Sequence, residues 1–427
     1  MSGEAAHAQM RLGLRFLQLG RYPDAEQRFK DALASEPDSD ALLGLLAHAV
    51  HSQDGREKDA LEIIDRAIGL EPNDGDHHTM RAFILNSLDR PRDGLTAAKL
   101  AQSLEPHSEQ ALAAQSQSYV LTKDWPDAER TARAALSIDP EYSMAANLLA
   151  ESLRHQGRDV ENRAQIAGML ERDPENAYTH HSAGWAALQR GDHRAAETHF
   201  REALRLSPEM EGARQGLLAS FRSRSPFYSG YLRYCLWMSR LKGKSQWAIV
   251  IGVYLGFRLL RTIAEKYSKN LAIAIGALYL LLVLWAFVAN SVGNFILLFD
   301  RFARHALKRS EAIEAAVSGG SVVVGLVFLG AGFALGMQWS LLLGGALALG
   351  AIPWSMVFTN ASRMGAVLFG AVGLTLWLGA GIVLAGDAMN SEAIADIGMN
   401  AFIAGLVGVI VSTWLSGVRA LRRPASG

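Results

Sequence analysis

The sequence predicts an all-α protein of two unlike halves, an α-solenoid of stacked helix pairs followed by a polytopic bundle of transmembrane helices. Three observations predict it. Prolines recur at positions 37, 72, 106, 140, 174 and 208, spaced by 35 residues once and by 34 thereafter. Beyond residue 245 come runs of about 20 mostly apolar residues, the length that crosses a bilayer. Charge divides along the same line: residues 1–220 carry 24 basic and 35 acidic residues, 221–244 six basic and none acidic, and 245–427 12 basic and 7 acidic. The net charge of zero over 427 residues thus averages an acidic polar half with a very apolar one. That composition excludes a single water-soluble globule. With Cys235 as the only cysteine, it also excludes a disulfide-stapled domain and a thiolate zinc or iron–sulfur centre.

The solenoid occupies residues 1–221. Each proline closes a polar step such as SEP, LEP, IDP or RDP. Five residues before it stand Ala32, Ala67, Ala101, Ala135, Met169 and Ala203; twelve before stand Ala25, Ala60, Gly94, Ala128, Asn162 and Ala196. Eight before stand Phe29, Ile64, Ala98, Ala132, Ile166 and Phe200. Columns of small residues let two helices per unit approach closely, and the proline ends one helix or opens the next. Turns such as LGRYPD and QRGDHR join the helices of a pair. No unit buries its apolar face alone, so stacking supplies the core. Six helix-turn-helix units follow, with residues 210–221 as a capping helix. An extra residue around SQDGREK predicts a wider turn in the second unit, and Asn162 and Met169 predict looser packing in the fifth.

These columns resemble those of the tetratricopeptide repeat (TPR) family over about residues 6–209. The resemblance implies that the first helix of each pair lines a concave groove that binds a protein or peptide. Its groove positions fall on Asp76, Asn86, Gln110, Asn147, Glu151, Arg154, Tyr178, His181 and Trp185. The basic cluster with which some relatives clamp a terminal carboxylate is not among them. The acidic array suits a basic partner.

No catalysis, metal or cofactor is expected. Eleven of the 12 histidines lie in the repeats, including His77–His78 and His180–His181, but neighbours on a helix point about 100° apart and do not readily share an ion. No P-loop, HExxH, GxSxG or kinase motif occurs.

A basic, aromatic hinge spans 222–245. Arg222, Arg224, Arg233, Tyr234, Trp237, Arg240, Lys242 and Lys244 suggest a membrane-interface segment, since cations meet anionic headgroups and amphipathic rings favour the boundary. Nucleic-acid binding is the weaker reading of the same residues.

The bundle spans 246–418 with five or six crossings: 271–290, 317–337, 339–358, 364–386 and 397–417, plus a weak segment 247–264 interrupted by Arg258 and Arg261. A basic tail, 419–427, ends the chain. Loop 300–309 holds four Arg or Lys, the tail holds Arg419, Arg422 and Arg423, and 387–396 is acidic. With positive loops inside, six crossings place the array and the C-terminus in the cytoplasm. The start of the sequence lacks the apolar run of a signal peptide, which agrees with that side. The last four segments carry no ionisable residue but many glycines, including the GxxxG of Gly332–Gly336, which predicts close helix contacts and a homo-oligomer. Asn290, Asn294 and Asn400 are the polar side chains at membrane depth. The expected function is a non-catalytic, multi-pass scaffold of a bacterial inner membrane that holds a protein or peptide partner at the bilayer. The alternative is a channel or transport component whose array recruits or regulates.

Overall fold

The computed structural model describes residues 2–241, 243–301, 303–359 and 362–415, and all regular structure among them is helical. Contacts divide it into two compact units. One runs to Ala186 and takes in Arg205–Pro208; the other comprises Ala187–Leu204 and everything described from Glu209 onward.

The first unit is built from helix pairs: α1 (Ser2–Gln18) with α2 (Tyr22–Leu33), α3 (Asp40–His51) with α4 (Glu57–Leu70), α5 (Gly75–Ser87) with α6 (Pro91–Leu104), α7 (Glu109–Leu121) with α8 (Trp125–Ile138), and α9 (Ser143–Gln156) with α10 (Asp159–Arg172). The sixth pair in sequence is α11 (Ala177–Arg190) and α12 (His193–Leu206). From the second pair on, the first helix starts three residues beyond the repeat proline, and just before it Ser39, Asp74, Ser108 and Asn176 accept a hydrogen bond from the backbone N–H three residues on. Second helices open on Pro23, Pro91 and Pro126, where a missing N–H costs nothing.

The turn within each pair needs one residue in the left-handed region. Gly20, Gly55, Asp89, Lys123, Gly157 and Gly191 fill it, spaced by 35 residues once and by 34 thereafter. The single long step lies in the second unit, whose turn covers residues 52–56 against 88–90 and 122–124, as the extra residue predicts. Between the helices, Phe29, Ile64, Ala98, Ala132 and Phe200 are fully buried and Ile166 nearly so. At the two ends of the array the column widens to phenylalanine, and each ring takes the room a glycine leaves, Phe29 against Gly13 and Phe200 against Gly216.

A carboxylate column ties successive units together. Glu26 bonds Gln53 (2.8 Å) and Arg56 (2.5 Å), and Glu129 bonds Gln156 (2.7 Å) and Arg158 (2.5 Å). Glu197 makes the third such clamp, with Arg224 at 2.9 Å.

The second unit contains α12, the capping helix α13 (Glu211–Arg222), α14 (Pro226–Ser239), α15 (Gly243–Glu265) and α16 (Lys269–Leu298). It continues with α17 (Arg309–Leu335), α18 (Gln338–Thr359), α19 (Arg363–Ala388) and α20 (Glu392–Leu415). Among the described residues, five helices are long and apolar enough to cross a membrane: α16 to α20. Three of them, α16, α18 and α19, cover the apolar segment predicted for them and extend past both ends; α17 starts earlier than predicted and stops at Leu335, and α20 starts earlier and is described as far as Leu415. The weak segment 247–264 lies within α15, whose outward residues include Val250, Leu255, Leu259 and Leu260.

Glycine sets the approach of α19 to α20. Gly379 and Gly386 on one helix, and Gly398 and Gly405 on the other, each repeat after seven residues. A Cβ on any of them would run into the partner backbone at Phe402, Ala395, Val383 or Leu376. The GxxxG expected to pair copies is used differently. Gly332 abuts Leu341 of α18, and Gly336 adopts φ 69° to end α17, so both serve the turn between two helices of one chain.

Candidate functional site

The predicted groove residues fall on the first helices of their pairs, and the structure separates them into three groups. Asn86 does not line a surface. It is buried, donating to the Ala114 carbonyl (3.3 Å) and to Gln117 (3.0 Å) and accepting from Ser118 (2.9 Å). Its oxygen fits because Gly94 of α6 has no Cβ there. Asn86 thus joins the third unit to the fourth.

The second group is acidic. Carboxylate oxygens of Asp74, Asp76 and Glu105 converge within 4.8 Å of one another. Burial, and then the charges of Asp76 and Asp74, push the Glu105 carboxyl above its usual range. Gln110 lies exposed on the next unit and accepts from Ser108 at 3.3 Å.

The third group is a mixed patch on α9 and α11. Glu151, Arg154 and His155 share a face of α9: Arg154 donates to His155 Nε2 (2.9 Å) and lies 3.5 Å from Glu151. His155 stacks on Trp125, ring centroids 4.1 Å apart. On α11, Trp185 donates to His181 (3.0 Å), Ser182 donates to Asn147 (3.2 Å), and Tyr178 stands 67% exposed. Burial would lift the Glu151 carboxyl, but the bond with His155 and the charges of Arg154, His155 and His181 outweigh it and hold the acid below its usual range. Burial lowers the proton affinity of His181. The arrangement offers one exposed ring, one half-exposed carboxylate and several donors within two adjacent helices.

The histidine pairs have structural work that sequence alone does not disclose. His78 and His180, each six residues past a repeat proline, donate to that proline's carbonyl at 2.9 and 3.0 Å. His77 is buried and bridges Asp40 (3.2 Å) and Asp74 (3.7 Å). The signal that could have found this is positional: the same residue type recurs at the same offset from the proline.

In the hinge, two cations expected at the headgroups are engaged by protein partners, Arg222 in the interior and Arg224 at the surface. Arg222 is 9% exposed and donates to Tyr228 Oη (2.9 Å) and Asn290 Oδ1 (3.0 Å). Arg224 bridges Glu197 and Asp300 (3.3 Å). One face of α14 faces inward through Tyr228, Leu232 and Tyr231, the last donating to the Ala286 carbonyl (3.3 Å). The opposite face exposes Phe227, Arg233, Tyr234 and Trp237. Arg240 is half-buried. Lys242, the side chain of Lys244 and the tail 419–427 lie outside the described residues. Burial raises the Cys235 thiol.

The second unit carries a further set of ion pairs. Arg214 of α13 grips Glu311 of α17 through both nitrogens, at 2.6 and 2.7 Å, and also the Ala306 carbonyl (2.9 Å). Lys308 lies 3.1 Å from Glu211, whose carboxyl Arg214, Gln215 and Lys308 bring down to about 2.

Three models of the tetratricopeptide repeat match, over residues 16–83, 113–177 and 177–210. No curated protein matches the chain. Solved structures similar to it include a thermophilic TPR protein of Thermus thermophilus (24% identity, 41% of this chain and 95% of that one, TM-score 0.39). Others are Pseudomonas aeruginosa pilF (19%, 50% and 97%, 0.40) and a tetratricopeptide repeat protein of Parabacteroides merdae (16%, 56% and 99%, 0.39). The repeats described above, with their proline, alanine and left-handed turn columns, are therefore tetratricopeptide repeats, and the N-terminal part of this chain, to about residue 210, belongs to that family.

Proposed function

We propose that the chain is a multi-pass membrane scaffold whose tetratricopeptide array binds a protein or peptide partner on the face formed by its first helices. The observation that carries this reading is the patch on α9 and α11, where Tyr178 is exposed beside the Glu151–Arg154–His155 and His181–Trp185 groups. A large exposed ring backed by half-buried donors is what an interface anchor requires. The cluster of Asp74, Asp76 and Glu105 supports a basic partner, because a lysine or arginine there would relieve the repulsion among three carboxylates. The five apolar helices, with α15 as a sixth crossing, anchor the array on the cytoplasmic side, and Phe227, Arg233, Tyr234 and Trp237 of α14 rest in the headgroup layer. The scaffold reading assigns no reaction to the protein.

Photo-crosslinking on the full chain in its native membrane tests this. A benzophenone side chain replacing Tyr178 should give a discrete protein adduct that is lost when Trp185→Ala and Glu151→Ala are added. The same probe at Val160, 72% exposed on the second helix of its pair, should give none. Equal adducts at both positions would remove the groove from the proposal. The channel alternative would be favoured instead by ion or solute flux through vesicles reconstituted with the purified chain.

A further inference from the structure

Apolar segments drawn by hydropathy begin at residue 317 and miss a carboxylate three residues earlier. Glu314 lies inside α17 and is 5% exposed. Its carboxylate takes a hydrogen bond from Ser291 of α16, and Ser291 in turn lies 3.4 Å from Ser355 of α18, which also bonds Glu314. No Lys, Arg or His comes within ion-pair distance of it among the described residues. Arg222, whose charge is felt at Glu314, is held by Tyr228 and Asn290.

Two more oxygens on the same helices have no hydrogen-bond partner. Asn294 Oδ1, one turn along α16 from Ser291, and Ser318 Oγ, one turn along α17 from Glu314, are both buried and unpaired. Between Glu314 and Ser318 the helix opens into a π turn, Ala315–Gly319, and the Gly319 it places against the Ser291 carbonyl has no room for a Cβ. A π turn is rare and gives up part of the regular hydrogen-bond ladder. Three helices therefore meet at a buried carboxylate that has serine hydroxyls but no ion-pair partner, and two of those helices carry, one turn away, a further buried acceptor that has none. A buried carboxylate in that position is neutralised by a proton or by a cation.

We propose that Glu314, with Ser291, Asn294, Ser318 and Ser355, forms a binding site for a single alkali-metal cation, of sodium's class. The donors are all hard oxygens, which excludes soft transition metals. Only one of them is charged, and Arg222 nearby adds positive charge, so a divalent ion, which collects several carboxylates, is disfavoured. The unpaired Asn294 and Ser318 oxygens are the ligands the hydrogen-bond network leaves free. Such a site deepens neither the groove nor the scaffold reading; it belongs to the apolar helices alone.

Thermal unfolding of the purified full chain in detergent, at fixed pH and ionic strength, tests it with sodium, potassium or choline chloride. Sodium should raise Tm by several degrees over choline in a saturable manner, because a ligand bound only to the folded state stabilises it. Radiolabelled sodium should bind with a stoichiometry of one. Glu314→Gln should remove both effects while folding normally, since the amide needs no counter-ion. Ser318→Ala, which keeps the charge, should weaken sodium binding about 10-fold. Equal Tm values in all three salts would overturn the proposal. So would an unaltered sodium response in Glu314→Gln, or a Tm in choline that rises on acidification with no sodium effect, which would assign the site to a proton.

Discussion

At the scale of single residues, neighbouring charges decide what each carboxylate contributes. Glu26 is nearly buried, and although burial pushes its acidity the other way, Lys30, Gln53 and Arg56 bring its carboxyl down to about 2. Its folded value lies below the unfolded one of 4.5. The clamp therefore contributes fully above that unfolded value and fades as pH falls through the folded one. Glu26→Gln should cost about 2 kcal/mol at neutral pH, and the Tm gap from the parent should close as the pH of the melt falls from about 5 towards 2. A gap that persists at the acid end would show that packing rather than charge holds the first two units. Groove residues were legible from helix position alone only where nothing fills the space behind them. Asp76, Glu151 and Tyr178 reach the surface as that angle predicts, whereas Asn86 turns inward because Gly94 leaves it room.

At the scale of elements, the proline and alanine columns of the repeat are visible in the sequence because identity repeats with position. The left-handed column hides because two of its members, Asp89 and Lys123, are not glycine. A non-glycine residue there costs roughly 1–2 kcal/mol, partly offset by the stiffer unfolded chain. Asp89→Gly and Lys123→Gly should each stabilise by about 0.5–1 kcal/mol, measured by denaturant midpoint. If both destabilise, side-chain bonding at those turns outweighs backbone strain. The carboxylate column of Glu26, Glu129 and Glu197 hides for a related reason: each follows the repeat alanine, but its arginine sits 27 to 30 residues downstream and its spacing absorbs the extra residue of the second unit. In the bundle, helix number and approximate bounds follow from hydropathy. The π turn has no signature in composition, so the helix that carries Glu314 looked shorter and less polar than it is.

At the scale of the whole molecule, the halves proposed from charge and hydropathy do not coincide with the compact units. The sequence pattern changes at residues 221–222, yet α12 and α13 fold with the apolar helices. Basic residues that suggest headgroup contact when taken as a run are individually committed: Arg222 to Asn290, Arg224 to Glu197 and Asp300, and upstream Arg214 to Glu311. Charge runs do not disclose such partners, because the partners lie 27 to 97 residues away. Arg214→Ala leaves Glu311 with its bidentate partner gone and should lower stability by about 2–3 kcal/mol. In a double-mutant cycle with Glu311→Ala, unfolding of the detergent-purified chain should show coupling above about 1 kcal/mol; additive losses would mean the two residues act separately. These arginine commitments also bear on how such a protein could be recombined. A chimera spliced at residue 221, grafting this array onto a foreign anchor, would separate Arg214 from Glu311 and Glu197 from the Arg224–Asp300 bridge. A working graft must carry the last helix pair's second member with the anchor, so the seam that inheritance or engineering can cut runs through the sixth repeat and not after it.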